Sequence, residues 1–98
     1  MDVRHELNGT LFIWNEEKAR QNILNHDGVT FERAAEVFFD PFVQIENASR
    51  KDEARDAAIG YDASGRLLFV VHIEFEGETI RIISARKATA LERERHDL

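Results

Sequence analysis

The stretch Leu67-Leu68-Phe69-Val70-Val71-His72-Ile73-Glu74-Phe75, followed by Glu76-Gly77 and then Thr79-Ile80-Arg81-Ile82-Ile83-Ser84-Ala85-Arg86, decides the fold. Two runs of β-branched and aromatic residues split by a Gly-containing turn are a strong local signal for an antiparallel hairpin. His72, Arg81 and Ser84 are the polar side chains that interrupt it. After it, Lys87-Ala88-Thr89 leads into a short charged helix. The rest of the chain reads as support for this hairpin or as surface around it.

Upstream, Leu11-Phe12-Ile13-Trp14 is a short apolar run suited to a first strand. Asn15 stands at an N-cap, and Glu16 and Glu17 place carboxylates at the positive end of a helix expected over about Glu16 to Asn25. Ala19, Ile23 and His26 fall on one face of it, with Asn22 beside them, and Asp27-Gly28 ends it. Thr30 caps a second helix, Phe31 to Phe38, whose stripe is Phe31, Ala34, Ala35 and Phe38. Asp40-Pro41 stops that helix. Phe42 to Glu46 suits a strand, Asn47 to Asp52 a mobile polar loop, and Glu53 to Tyr61 another strand before the Asp62 to Gly65 turn. Strands gathered in a run argue for an α+β fold over residues 1–98: a small antiparallel sheet with helices packed on one face. A single domain is expected.

The 98 residues carry 13 basic and 19 acidic side chains, a net charge of −6. The excess of acid sits early: residues 1–60 hold seven basic against twelve acidic groups, residues 61–98 six against seven. A cationic surface must therefore be a local patch, and the second half is where it is expected. There is no cysteine, which removes disulfides and thiolate metal sites. His5, His26, His72 and His96 show no paired ligand spacing, so neither a metal nor another cofactor is expected. The polar start Met1-Asp2-Val3-Arg4-His5-Glu6 and the lack of a membrane-length apolar run lead to the expectation of a soluble, cytoplasmic protein.

If Glu76-Gly77 is a two-residue loop, Phe75 faces Glu78 and His72 faces Arg81. If Asp62 to Gly65 is a four-residue loop, Arg55 falls opposite His72. The row Arg55–His72–Arg81 would then share one face, and Phe69, Val71, Ile73, Ile80 and Ile82 would take the helices on the other. Such a row suits metal-independent phosphodiester cleavage of RNA, which brings its own 2′-hydroxyl nucleophile. Histidine can move the proton, and arginine stays charged and grips phosphate oxygens with two donors. The competing reading makes His72 a satisfied sheet residue and pairs the arginines with Glu74 or Glu78. Trp14 reads as core, and Lys87 to Arg95 as a solvated helix face.

Motifs along nearly the whole chain resemble the BrnT toxin family. They are Trp14-Asn15-Glu16-Glu17-Lys18-Ala19 with Asn22, His26-Asp27-Gly28-Val29-Thr30-Phe31-Glu32, and Phe38-Phe39-Asp40-Pro41. Arg55 with Ile59-Gly60, Gly65-Arg66-Leu67-Leu68 and Val70-Val71-His72 follow. The most specific is Ile80-Arg81-Ile82-Ile83-Ser84-Ala85-Arg86-Lys87-Ala88-Thr89, with Glu92-Arg93 after it. The resemblance implies a RelE-like ribonuclease toxin of a type II toxin–antitoxin system, cutting RNA and inhibiting translation. It implies a BrnA-type ribbon-helix-helix antitoxin through which alone promoter DNA is bound. By position, Arg55, His72, Arg81 and Arg86 are the catalytic candidates, with Lys87 and Arg93 as RNA-binding residues at the rim. The alternative is a catalytically weak interaction module that binds the antitoxin and acts mainly in transcriptional autoregulation; the acidic balance favours it.

Overall fold

The computed structural model describes residues 1–51 and 53–97. Its elements are β1 (Asp2–Leu7), β2 (Thr10–Asn15), α1 (Glu16–Asn25), α2 (Phe31–Glu36) and a 3-10 turn (Val37–Phe39). Then come β3 (Gln44–Asn47), β4 (Asp56–Tyr61), β5 (Leu67–Phe75), β6 (Thr79–Lys87) and α3 (Ala90–His96). One six-stranded sheet runs in the order β1-β2-β6-β5-β4-β3. It is mixed rather than purely antiparallel, because β2 pairs parallel with β6.

The helices begin where their caps stand. Asn15 accepts from the Lys18 N–H at 3.0 Å. Thr30 accepts from the Arg33 N–H at 3.1 Å. Thr89 and Glu92 exchange bonds in a capping box at the head of α3. The polar start of the chain is itself a strand: Asn8 and Gly9, with φ of 50° and 84°, turn β1 back onto β2.

α1, α2 and the 3-10 turn cover one face of the sheet. Phe12, Trp14, Phe31, Ala34, Ala35, Val37, Leu68, Val70, Ile82 and Ala85 are buried there. A fully buried large side chain among these stabilises by roughly 1.5–3 kcal/mol. Trp14 is core, as its apolar run suggests.

The central hairpin forms at the expected residues, but its register differs. Phe75 pairs with Thr79, so the loop is Glu76-Gly77-Glu78. Gly77 and Glu78 both take positive φ, 77° and 59°, which makes room for the third loop residue. His72 therefore faces Ile82, and Arg81 faces Ile73. Past His72 the ladder shifts again, Val71 pairing with Ser84 and leaving Ile83 as a bulge. On β4, Tyr61 pairs with Leu67 and Asp56 with His72. The loop is one residue longer than expected because the Asp62 carboxylate gathers the Ser64 and Arg66 N–H groups, both at 2.9 Å. The helix-bearing face thus carries Leu68, Val70, His72, Ile80 and Ile82, while Phe69, Val71 and Ile73 lie on the other.

Candidate functional site

β2 pairs with β6 only from Leu11–Thr79 to Ile13–Arg81; its last residues, Trp14 and Asn15, stay paired with β1 alone and lead into α1. The edge of β6 beyond Arg81 would be left without a strand partner. Asn22 of α1 takes the strand's place. Its amide donates to the Ala85 carbonyl at 2.8 Å and to the Val29 carbonyl at 3.0 Å. Its oxygen accepts from the Ala85 N–H at 3.1 Å. One turn later α1 ends at His26, whose N–H still bonds the Asn22 carbonyl. His26 so comes to the margin of the sheet face that the core helices do not cover.

On the other side, the β3–β4 hairpin continues past its strands as an arm. The Ala48 N–H donates to the Arg55 carbonyl at 2.9 Å, and Arg50 and Glu53 exchange backbone bonds of 3.2 and 2.9 Å. The segment expected to be a mobile loop is thus hydrogen-bonded up to its tip; Asp52 of that segment lies outside the described residues.

Between arm and His26 lies a groove of about 570 Å³. Its floor is Phe69, Val71, Ile83 and Ser84; Glu46, Arg50 and Arg55 stand on the arm side, and Arg86 at its end. Two registered rows cross it, Glu46–Ala57–Val71–Ser84 and Gln44–Ile59–Phe69–Arg86. Three strand steps of about 4.8 Å put the Glu46 and Ser84 backbones roughly 14 Å apart. That is wide enough for an extended ligand rather than a single small anion.

The groove holds three guanidinium groups and one imidazole against one carboxylate. This is the local cationic patch expected on an acidic chain, although arm residues Arg50 and Arg55 build it as much as the second half does. Arg55 hydrogen-bonds Glu53, and its Nε is buried with no hydrogen-bond partner among the described residues. Arg86 makes a bidentate pair with Glu92, 2.8 and 2.9 Å, and lies over the Phe69 ring at 4.1 Å from the centroid. The hydrogen bonds to Glu92 raise the Arg86 pKa above its ordinary value, and the same bonds lower that of Glu92.

The row Arg55–His72–Arg81 is not formed. Arg55 and Arg86 line the groove, but His72 is fully buried on the opposite, helix-bearing face. There His72 Nδ1 lies 3.2 Å from the Val70 carbonyl, and its ring meets Phe38 edge-on at 4.7 Å. His72 is a sheet residue as in the competing reading, but not the satisfied one that reading described, since its Nε2 has no hydrogen-bond partner among the described residues. Arg81 is on the open face but outside the groove, paired with Asp2 at 2.7 Å rather than with Glu74 or Glu78. Lys87 pairs with Leu68 at the end of β6 and is exposed; Arg93 is exposed on α3. Neither lines the groove.

Sequence reasoning missed His26, Glu46 and Arg50 as groove residues. His26 stood in a quoted motif, one turn beyond Asn22, and that spacing was its signal. Arg50 and Glu46 gave none, because only the β3–β4 register turns them to the open face.

A second cleft, of about 440 Å³, is lined by Leu7, Glu36, Phe39, Asp40, Tyr61 and Asp62 among others. Its carboxylates are committed to structure. Asp40 accepts from the Tyr61 N–H at 2.8 Å, Glu36 from the Ala63 N–H at 3.0 Å, and Asp62 bonds Arg66 at 2.9 Å. No described helix is long and apolar enough to cross a membrane.

A family model described as ribonuclease toxin, BrnT, of type II toxin–antitoxin system matches residues 14–92. No curated protein matches the chain.

Proposed function

The chain belongs to the BrnT family of ribonuclease toxins of type II toxin–antitoxin systems, and from that premise we propose that the groove between the arm and His26 is where it cuts RNA. The observation that supports this reading is the gathering of Arg50, Arg55, Arg86 and His26 on a chain whose net charge is −6. The open face of the sheet offers cationic side chains and one proton-transfer group there, and long arginine side chains reach inward from the rim.

The chemistry is metal-independent transesterification. His26 takes the proton of the 2′-hydroxyl. The 2′-oxygen attacks phosphorus, the bond to the 5′-oxygen breaks, and solvent supplies the proton that this oxygen acquires. The products are a 2′,3′-cyclic phosphate and a 5′-hydroxyl. Arg55 and Arg50 offset the charge of the pentavalent phosphorus. The role first given to His72 thus passes to His26, and that of Arg81 to the arm arginines. Lys87, Arg93 and Arg81 serve longer RNA at the rim.

In the cell, such cleavage inhibits translation in the cytoplasm until a BrnA-type ribbon-helix-helix antitoxin binds, and promoter DNA is held only through that antitoxin. The RelE-like description of the fold belongs with this reading. A second reading, an antitoxin-binding module with weak catalysis, draws on the ion pairs Arg55–Glu53, Arg81–Asp2 and Arg86–Glu92, which already offset much of the cationic charge.

The test is cleavage of RNA by the purified chain with a chelator present, followed by analysis of the product ends. Arg55→Ala should lower the rate about 10²–10³-fold. His26→Ala should lower it about 10²–10⁴-fold. Wild-type rates in both variants would move the reading to the antitoxin-binding module. Activity abolished by the chelator would reject the metal-independent step.

A further inference from the structure

An arginine that binds phosphate offers the two N–H groups at one edge of its guanidinium. Arg86 cannot do so. Both of its terminal nitrogens are held by Glu92, at 2.8 and 2.9 Å, and one also donates to the Lys87 carbonyl at 3.2 Å. Glu92 is itself fixed, because its carboxylate also accepts from the Thr89 N–H at 2.9 Å in the capping box of α3. One face of the guanidinium is closed by Phe69, 4.1 Å from the ring centroid. Yet Arg86 keeps 35% of its side chain exposed and lines the groove. Beyond the edge at Nε, what it has left to offer is its second face, flat and cationic.

We infer that Arg86, backed by Phe69 and locked by Glu92, is a stacking platform for a nucleobase of single-stranded RNA. Guanidinium planes and aromatic rings are the surfaces on which unpaired RNA bases stack. The layer order would be Phe69, guanidinium, base, which continues the registered row Gln44–Ile59–Phe69–Arg86 upward into the groove. Arg86 is then a substrate-positioning residue, and phosphate falls to the arm arginines. Glu92 acts through Arg86: it sets the plane and occupies one of the edges that could take phosphate. The inference rests on the ribonuclease reading of the groove.

The test is binding of two fluorescent oligonucleotides across a range of salt. One is single-stranded RNA with 2′-O-methyl groups, which is held without being cut. The other has the same backbone with no bases. The variants are Arg86→Lys, which keeps the charge and loses the plane, Phe69→Leu and Glu92→Gln, each checked for cooperative melting. All three should weaken binding of the base-bearing strand, by about 5- to 150-fold for loss of one stacked base. None should change its salt dependence or the binding of the abasic strand. If Arg86→Lys binds both strands as wild type does, the platform is overturned. It is also overturned if Arg86→Ala weakens both strands equally and reduces the salt slope by about 0.7, as loss of one phosphate contact from a single strand would. Tighter binding of both strands by Glu92→Gln would mean that Glu92 withholds Arg86 from phosphate, and would overturn it as well. If the wild type binds neither strand, the ribonuclease reading fails and the platform with it.

Discussion

Asn22 and Ala85, 63 positions apart, exchange two hydrogen bonds that complete the open edge of β6. This one amide stands in for a missing strand, ties α1 to the sheet and sets the place from which His26 reaches the groove. It is also one of the few buried polar side chains.

Replacing Asn22 should therefore damage both stability and function. Asn22→Leu leaves the Ala85 N–H and carbonyl and the Val29 carbonyl without this partner. Each buried group left unpaired costs about 1–3 kcal/mol. Asn22→Asp keeps the acceptor but sets a buried carboxylate against the Val29 and Ala85 carbonyls, so it should cost at least as much. Denaturant melts give the ordering; an Asn22→Leu protein as stable as wild type would show that water replaces the amide at no cost.

Gly60 of β4 has no room for a side chain. A Cβ there would lie 3.0 Å from both the Asp40 carboxylate and the Val37 side chain, and 3.1 Å from the Val37 carbonyl oxygen. The Asp40 carboxylate cannot retreat without releasing the Tyr61 N–H. Gly60→Ala should cost about 1–3 kcal/mol through overpacking, seen as a lower melting temperature with the groove chemistry intact. An unchanged melting temperature would mean that the 3-10 turn shifts freely.

His72 gives the opposite contrast. It is fully buried, its Nε2 has no hydrogen-bond partner among the described residues, and Glu74 stands 3.6 Å away. An apolar side chain of similar size removes that unpaired atom, so His72→Leu should hold stability or raise it by about 1 kcal/mol. RNA cleavage should stay at the wild-type rate. A loss of cleavage in a protein that melts like wild type would return His72 to the site.

Apart from β1, whose polar residues gave no strand signal, the sequence made the elements legible because short-range chemistry punctuates them. Asn15, Thr30 and Thr89 bond their own helix ends, Asp40-Pro41 stops α2 and its 3-10 turn, and apolar runs mark β2 and β5. What was not legible was register. Glu78 adopts a left-handed conformation that no composition rule demands of glutamate, and the Asp62 carboxylate recruits one more loop residue. One residue in each loop moved Ala58, Ile80 and Ile82 onto the face of Leu68, Val70 and His72, and the helices pack there. The bulge at Ile83 then decided that Ser84 and Arg86 share the open face with Val71 and Phe69. Arg55 and Arg86 were legible as functional candidates from the motifs, whereas the arm arginine Arg50 needed the fold.

Acid should loosen the pairing of α3 with Arg86. The Arg86 hydrogen bonds hold the Glu92 pKa below its ordinary value of 4.5. Burial raises that of Asp62, but bonds from Arg66 and Ser64 outweigh it and leave the net shift downward from 3.8. A carboxylate whose folded pKa is depressed contributes stability that is present above its unfolded pKa and lost as pH falls through the folded one. Both contributions are therefore complete at neutral pH and should decline from about pH 5 downward. Because protonation also relieves repulsion on a chain of net charge −6, the difference between wild type and variant is the measurement to make. Glu92→Gln should melt below wild type at pH 7, and the two should converge as pH falls through the depressed pKa of Glu92. If the two melting curves instead run parallel from pH 7 to pH 3, Glu92 contributes no charge-dependent stability, and the pair with Arg86 is only a surface contact.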